Sequence, residues 1–586
     1  MKNFKTLLLL LCVPVFIFSQ INPVKINSKN FTFVVLGDRT ASANQPIFDQ
    51  VIGTIKSLNP NFIVNVGDLV EGYSNSSDMI NSEWDSIFTN LGFLKTKFYF
   101  TPGNHDASDS LSLSIYLSRN GYKKSYYSFS VGKNRFIVLD NSQQEKADEP
   151  DPVQLQWLIS ELSKYKKNDN IFCFMHKSFW FDEYKTSRAD TFHKLFVKYG
   201  VDYVFSGHDH HYVKLVWDGI TYTMAGPSGS RYKLFRKEEF GAFQNFLLVS
   251  IKNDKVQFRV IRPDGSELSA DYVTFDNIKQ LEGIEQAINI SPFIVGKSDS
   301  VFVKINNVFE IPISTNCSWW LDNKTWQIVP DAQAVIIPGQ NTYNYSFSIK
   351  VKNESIYPLP QFNISYPYET NQKRYKYNRM LPIELNAECH KISKAIKIDG
   401  RLNEKIWQDI TPIHVFGSGD GGVSQTDPWE VYFAYDPNNL YIAARMTDYE
   451  PDNISTTITQ RDDKVYNDDH INIILQPGVA SDTYYQFFIN ANGVVMDRAC
   501  YMMGKDSKKD AKWNSDINVK AEISSGEKFT GWTLEASLPL KQFVESDPKT
   551  WGFNLVRFQK RKDAVSIYSV PFEHNPKTFA SLNFTK

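Results

Sequence analysis

Cysteine is scarce in this chain. Five occur in 586 residues, and Cys173, Cys317, Cys389 and Cys500 lie too far apart for metal-type spacing, which argues against a disulfide framework or a cysteine-built zinc site. One or two bridges remain open in an oxidising compartment, with no pairing legible. A charge excess is also missing. With 64 Lys and Arg against 65 Asp and Glu the net charge is −1, and the basic residues are scattered, so no nucleic-acid or anionic-membrane surface is expected. Histidine is sparse, at 10. Beyond Phe18 no apolar run approaches the ~20 residues of a membrane-spanning helix, so no transmembrane segment is expected once the leader is removed.

That leader is legible. Lys2 and Lys5 precede the apolar run Leu7–Phe18, and Ser19-Gln20 offers a small-residue cleavage point. The pattern predicts a signal peptide over residues 1–19 and a secreted or periplasmic protein. Cys12 lacks the small residues of a lipoprotein box, so lipidation is not predicted. A chain this long exceeds one hydrophobic core, and about three domains are expected after the leader. Aromatic content of 14% leans towards β-sandwiches or ligand-stacking surfaces.

From Phe31 strand and helix signals alternate. Phe31–Leu36 ends in Gly37-Asp38, and Asn61–Val66 ends in Gly67-Asp68. Phe98–Phe100 leads to Thr101-Pro102-Gly103-Asn104-His105-Asp106. Ser125–Val131 and Arg135–Leu139 read as adjacent strands reaching Asp140-Asn141. Ile171–Met175 ends at His176, and Val201–Ser206 ends in Gly207-His208-Asp209-His210. Helical spacing marks Ile47–Leu58 and Val153–Tyr165. This predicts a layered α/β domain, whose sites collect at the carboxyl ends of strands. His105, His176, His208, His210 and His211 follow just three strand ends. Imidazoles, carboxylates and an amide oxygen are the inventory two divalent ions need to share a bridging carboxylate.

In this order and on these elements, the Gly-Asp, Gly-Asp, Gly-Asn-His-Asp, His and Gly-His-Asp-His motifs resemble the calcineurin-like metallophosphoesterases, over residues 30–275. The resemblance implies that Asp68 bridges two divalent ions (Mn, Fe or Zn). Asp38 and His210 would hold the first, and Asn104, His176 and His208 the second. It further implies a metal-bridging hydroxide that attacks a phosphomono- or phosphodiester. His105, oriented by Asp106, would stabilise the phosphoryl group and protonate the leaving oxygen. One position departs from the family: Thr40 stands where a histidine is usual. Thr40 or a water fills the place, or Glu71 or Tyr73 swings in, or the first site binds weakly. Arg39 reads either as a phosphate contact or as a solvent-facing salt bridge. Phe179, Trp180 and Phe181 form a leaving-group wall or core packing. His193 reads as structural, and His211 as an outer or exposed residue.

Residues 280–385 show short alternating strands and no chemistry. They predict an immunoglobulin-like spacer with Trp319, Trp320 and Trp326 in its core. From residue 388 to 586, runs such as Ile396–Trp407, Val431–Asp436, Asn467–Ile473 and Gly531–Pro539 resemble the carbohydrate-binding family 9-like β-sandwich. That implies a polysaccharide or cell-surface glycan as partner. Trp407, Trp532 and Trp551 read as core, whereas Trp429 and Trp513, near turns, are the sugar-stacking candidates. Asp468 and Asp469 are candidate Ca²⁺ ligands, or a charged rim. The expectation is therefore a secreted dinuclear phosphoesterase brought to a glycan or surface substrate. The alternative is a glycan- or surface-binding protein whose phosphoesterase domain is catalytically impaired.

Overall fold

A computed structural model describes residues 26–232, 237–368, 373–479, 481–503, 506–543, 549–571 and 575–585. The expected signal peptide and Cys12 lie outside these residues. The chain divides into two compact units, one running to Glu282 and the other starting at Gly283.

The first unit alternates strands and helices: β1 (Asn30–Leu36), α1 (Gln45–Leu58), β2 (Phe62–Asn65), α2 (Ser77–Gly92), β3 (Lys97–Tyr99), α3 (Ser110–Asn120), β4 (Tyr127–Val131) and β5 (Asn134–Val138). It continues with α4 (Pro152–Leu162), β6 (Asn170–Phe174), α5 (Phe179–Lys185), α6 (Thr191–Tyr199), β7 (Tyr203–Ser206), β8 (Val213–Trp217), β9 (Ile220–Met224), β10 (Phe246–Lys252), β11 (Lys255–Ile261) and β12 (Glu267–Ser269). Two six-stranded sheets result, in the orders β12-β11-β10-β1-β2-β3 and β4-β5-β6-β7-β9-β8. β1 shows why its run is continuously apolar. Phe31, Phe33 and Val35 enter the core between the sheets, while Val34 and Leu36 enter a second core with Phe48, Val51 and Ile55 of α1. A strand covered on both faces has no solvent side to keep polar. Across the sheets Phe33 meets Phe136 edge-on, with ring centroids 5.4 Å apart. β1, β2 and β3 pair in parallel, as do β5, β6 and β7. Their carboxyl ends therefore share one edge in each sheet.

The second unit holds two β-sandwiches. The first joins the sheet of Ile288–Ile290, Ser300–Asn306, Thr342–Val351 and Trp326–Val329 to that of Ala332–Ile337, Ile313–Trp320, Gln361–Tyr368 and Lys373–Met380. Trp319 fills its core between Phe347 and Phe362, at 5.7 and 5.2 Å. Trp326 is also buried, but Trp320 is 60% exposed, because adjacent strand residues point to opposite faces and Trp319 takes the inward one. This corrects the expectation that all three tryptophans are core. A helix over Phe275–Ala287, unanticipated from the sequence, precedes this sandwich. The second sandwich is a twelve-stranded sheet in which Asn386–Lys391 pairs with strands of both halves. Its halves close over a core where Phe433 meets Phe553 at 5.4 Å. Cys173, Cys317, Cys389 and Cys500 are all buried and free.

Two expectations fail here on burial and bonding. Trp429 opens the strand Trp429–Tyr435 facing inward, is only 4% exposed, and stacks on Phe416 at 3.8 Å. It offers no ring face to a sugar. Trp513 stays partly exposed beside Tyr485. Asp468 accepts hydrogen bonds at 2.7–3.1 Å from Ser455 Oγ, the N–H and hydroxyl of Thr457, Ile458 N–H and the Asn490 amide. Asp469 accepts from the N–H groups of Ser455 and Lys560. Both oxygens of each carboxylate already accept hydrogen bonds, so the two residues tie loops together and are not built for Ca²⁺.

Candidate metal centre

Each side chain of the site follows the carboxyl end of a strand: Asp38 after β1, Asp68 after β2, Asn104 and His105 after β3, His176 after β6, His208 and His210 after β7. The first three strands belong to one sheet and the last two to the other, so the site lies where the two sheet edges face. Small residues permit the approach. A Cβ on Gly103 would lie 2.1 Å from Asp68 Oδ1, and one on Gly207 would lie 2.2 Å from Asp38 Oδ1. Asp68, His208 and His210 adopt φ of +56°, +75° and +54°, conformations that non-glycine residues hold only when their surroundings impose them.

Two clusters share one residue. Ligand atoms of Asp68, His176 and His208 lie within 4.8 Å of one another, as do those of Asp38, Asp68 and His210. His176 Nε2 is 3.1 Å from Asp68 Oδ2 and 2.9 Å from Asn104 Oδ1. His208 Nδ1 lies 3.2 Å from His176 Nε2, and His210 Nε2 lies 3.2 Å from Asp38 Oδ2. The tautomers follow from acceptors that cannot donate. His176 Nδ1 donates to the Val66 carbonyl (2.7 Å) and His210 Nδ1 to that of Arg231 (2.6 Å), which turns each Nε2 towards the carboxylates, as a donor to them while the ring is charged and as a lone pair once that proton is displaced.

Electrostatics concentrate here. Burial opposes ionisation of Asp68, but the charge and hydrogen bond of His176 prevail and bring its pKa to about 2. Burial likewise opposes charge on His176, and Asp68 overrides it, raising that imidazole to about 9. His208, disfavoured by burial and by the neighbouring His176 charge, falls to about 4. Asp38 is wholly buried, and its Oδ1 has no hydrogen-bond partner. An orphaned buried carboxylate oxygen beside inward-facing imidazole nitrogens fits a divalent cation, which would take the place of their protons.

The structure redistributes several expected roles. Asp106 does not orient the His105 ring. Its carboxylate accepts the N–H groups of Asp68, Leu69, Val70 and Gly103 at 2.7–3.2 Å, and so shapes the two ligand loops. His105 Nδ1 donates instead to the Glu71 carbonyl, at 2.6 Å. The Glu71 carboxylate accepts from Ala43 N–H and joins neither ligand cluster. Tyr73 does not enter a cluster either; its hydroxyl accepts from the Asn104 amide at 2.9 Å. Thr40 is fully buried beside Glu71, whose charged carboxylate its hydroxyl helps to stabilise. Arg39 is half-buried and forms no salt bridge among the described residues. Its guanidinium donates to the Leu69 carbonyl and to Gln45, and its planar end lies over the Phe48 ring.

Trp180 is core, with its indole N–H on Ser206 Oγ, and Phe181 packs on His211 and Phe275. His193 is buried on α6, with Nδ1 at 2.8 Å from the Tyr222 hydroxyl. Asn141 carries an unassigned positioning role: its Oδ1 accepts the N–H groups of both His176 and Lys177, at 3.0 Å. Its place after an apolar strand was the available signal.

Residues 31–212 match the family model described as calcineurin-like phosphoesterase. This part of the chain is a calcineurin-like phosphoesterase domain. Residues 398–576 match the model described as carbohydrate family 9 binding domain-like. Among solved structures, this chain is similar to a dimetal phosphatase from Danio rerio, at 14% identity over 41% of this chain and 98% of that one, with a TM-score of 0.30. A second likeness is to GAP50, the anchor in the inner membrane complex of Plasmodium: 17% identity, 40% and 86% of the two chains, TM-score 0.31. A third is to a carbohydrate binding module family 9 from Caldicellulosiruptor kristjanssonii in complex with glucose: 16% identity, 34% and 95%, TM-score 0.25. No curated protein matches the chain. The calcineurin-like phosphoesterase domain thus contains every residue of the two ligand clusters.

Proposed function

We propose that this protein is a secreted or periplasmic dinuclear metal-dependent hydrolase of phosphomono- or phosphodiesters, directed to a glycan or cell-surface substrate by its C-terminal module. One observation carries the reading: Asp68 belongs to both ligand clusters at once. Asp38 and His210 would complete the first cation site with Asp68, and Asn104, His176 and His208 the second. A pair of divalent cations (Mn, Fe or Zn) supplies positive charge that acidifies water and offsets charge on the phosphoryl oxygens. The chain's own residues do the rest. Val66 and Arg231 carbonyls hold protons on the outer nitrogens of His176 and His210. The Glu71 carbonyl does so for His105, so that His105 acts as an acid in its doubly protonated form, passing the Nε2 proton to the leaving oxygen and keeping the Nδ1 proton. Asp106 fixes the loops that bring Asp68 and His105 together.

The test is bound metal in the purified mature chain, together with turnover of para-nitrophenyl phosphate and its bis-ester. Two equivalents, with turnover lost in His105→Ala, support the enzyme, and the preferred ester sets the substrate class. The buried Thr40 hydroxyl favours a second reading, in which the first cation site is short of an imidazole and the protein serves as a surface-binding module. One equivalent or none, with no turnover after Mn²⁺, Fe²⁺ or Zn²⁺ is supplied, selects that reading.

A further inference from the structure

Tyr73 stands out because packing does not explain it. It is 62% exposed, yet its backbone holds φ +49°, directly after Gly72 at φ +58°. A large exposed aromatic residue in the left-handed region is strained without burying much surface. Its contacts converge on two neighbours in the motif after β3. The hydroxyl oxygen accepts from Asn104 Nδ2 at 2.9 Å, and the ring meets the His105 imidazole edge-on, with centroids 4.7 Å apart at 77°. The strained backbone is held from the same side, since a Cβ on Gly72 would lie 1.8 Å from the His105 carbonyl oxygen.

A carboxamide presents an oxygen on one side and an NH₂ group on the other. The Asn104 oxygen is useful to a cation only when it points at His176 and Asp68, and its NH₂ then faces outward and needs an acceptor. The Tyr73 oxygen is that acceptor, and Asn104 Oδ1 lies 2.9 Å from His176 Nε2 on the opposite side. A phenylalanine could reproduce the ring contact with His105 but not the acceptor.

We infer that Tyr73 is a positioning residue of the phosphoesterase centre, whose hydroxyl aims the Asn104 amide oxygen at the His176–Asp68 cluster. The inference rests on the dinuclear reading for its consequence, though not for its geometry. The experiment uses the full mature chain and the Tyr73→Phe, Asn104→Ala and double variants, each made metal-free and titrated with Mn²⁺ alone. In Tyr73→Phe the affinity for the second equivalent is expected to fall roughly tenfold or more, the size of effect seen when a partner orienting a ligand is removed. The double variant should bind no more weakly than Asn104→Ala, because the hydroxyl acts only through that amide. Unchanged Mn²⁺ affinity in Tyr73→Phe, or losses that add in the double variant, overturns the proposal. A crystal structure of metal-free Tyr73→Phe supplies the readout that needs no cation. Asn104 is expected to swing beyond hydrogen-bond reach of His176, and an unmoved amide overturns the inference. Should the wild type take up no Mn²⁺, the dinuclear reading fails by itself and this structure still decides the role of Tyr73.

Discussion

Two places in this molecule gather buried carboxylates at strand ends, and they are built in opposite ways. In the C-terminal sandwich Asp468 is covered by donors on both oxygens, and its carboxylate joins loops. In the phosphoesterase domain Asp38 keeps one oxygen without a partner, and the His210 imidazole faces the other. Composition does not separate the two sets, since each contains Asp, Asn and His. Hydrogen-bond saturation does. A carboxylate ringed by N–H groups is already neutralised by the fold, whereas one with an unpartnered oxygen needs a cation from outside.

Several measurements would break or sharpen this contrast. The largest effect is expected from Asp68→Ala, which removes the residue common to both clusters. Metal content should fall from two equivalents towards none, and turnover should fall by more than the 10²–10⁴-fold expected of His105→Ala, a variant that keeps its metals. Retention of both metals in Asp68→Ala would remove the bridging role. Next comes Trp429→Ala, which opens a void against Phe416 and should cost about 4 kcal/mol in urea denaturation of the C-terminal sandwich. Trp513→Ala should cost about 1 kcal/mol and instead weaken any sugar retention on affinity electrophoresis; the reverse ranking would restore Trp429 as the sugar contact. Asp468→Ala strands several donors and should cost about 3 kcal/mol, with Ca²⁺ leaving the wild-type melting temperature unmoved. A Ca²⁺-dependent rise would return these carboxylates to the metal class.

Near neutral pH the smallest effect is a pH slope. Burial lowers the pKa of His470 from 6.5 to about 4. Its folded form prefers to stay neutral, so its contribution is complete above pH 6.5 and is lost as pH falls from there through about 4. The loss reaches at most about 3 kcal/mol at the acid end, and far less near pH 6. His470→Gln should flatten stability across that window, and an unchanged slope would assign the acid sensitivity elsewhere.

The α/β alternation was legible because apolar runs of strand length end in Gly-Asp, Gly-Asn-His or Gly-His, and the burial of β1 on both faces keeps its pattern unbroken. The strand-end positions of Asp38, Asp68, Asn104, His176, His208 and His210 were legible for the same reason, and the structure puts these side chains together. What the sequence withheld is which polar group satisfies which. Asp106 adjoins His105 in the chain, yet its carboxylate is drawn to four backbone N–H groups, three of them more than thirty residues away. Trp429 and Trp513 both sit near turns, and only tertiary packing sends one inward. Ser455 and Thr457 reach Asp468 from another loop and Asn490 from the end of a strand, a convergence that no spacing announces.

The ligand set runs from residue 38 to residue 210, and the Asp38 carboxylate is joined to the His208 backbone N–H across 170 positions at 2.8 Å. For a chain emerging from the ribosome this span is a timetable. No complete binding site exists until the seventh strand has been made and the second sheet has closed on the first. A nascent or truncated chain can offer a cation at most scattered single ligands. Cation uptake by the domain would therefore report the completion of folding, and loss of the cation would be felt along the seam between the sheets before it was felt in either sheet alone.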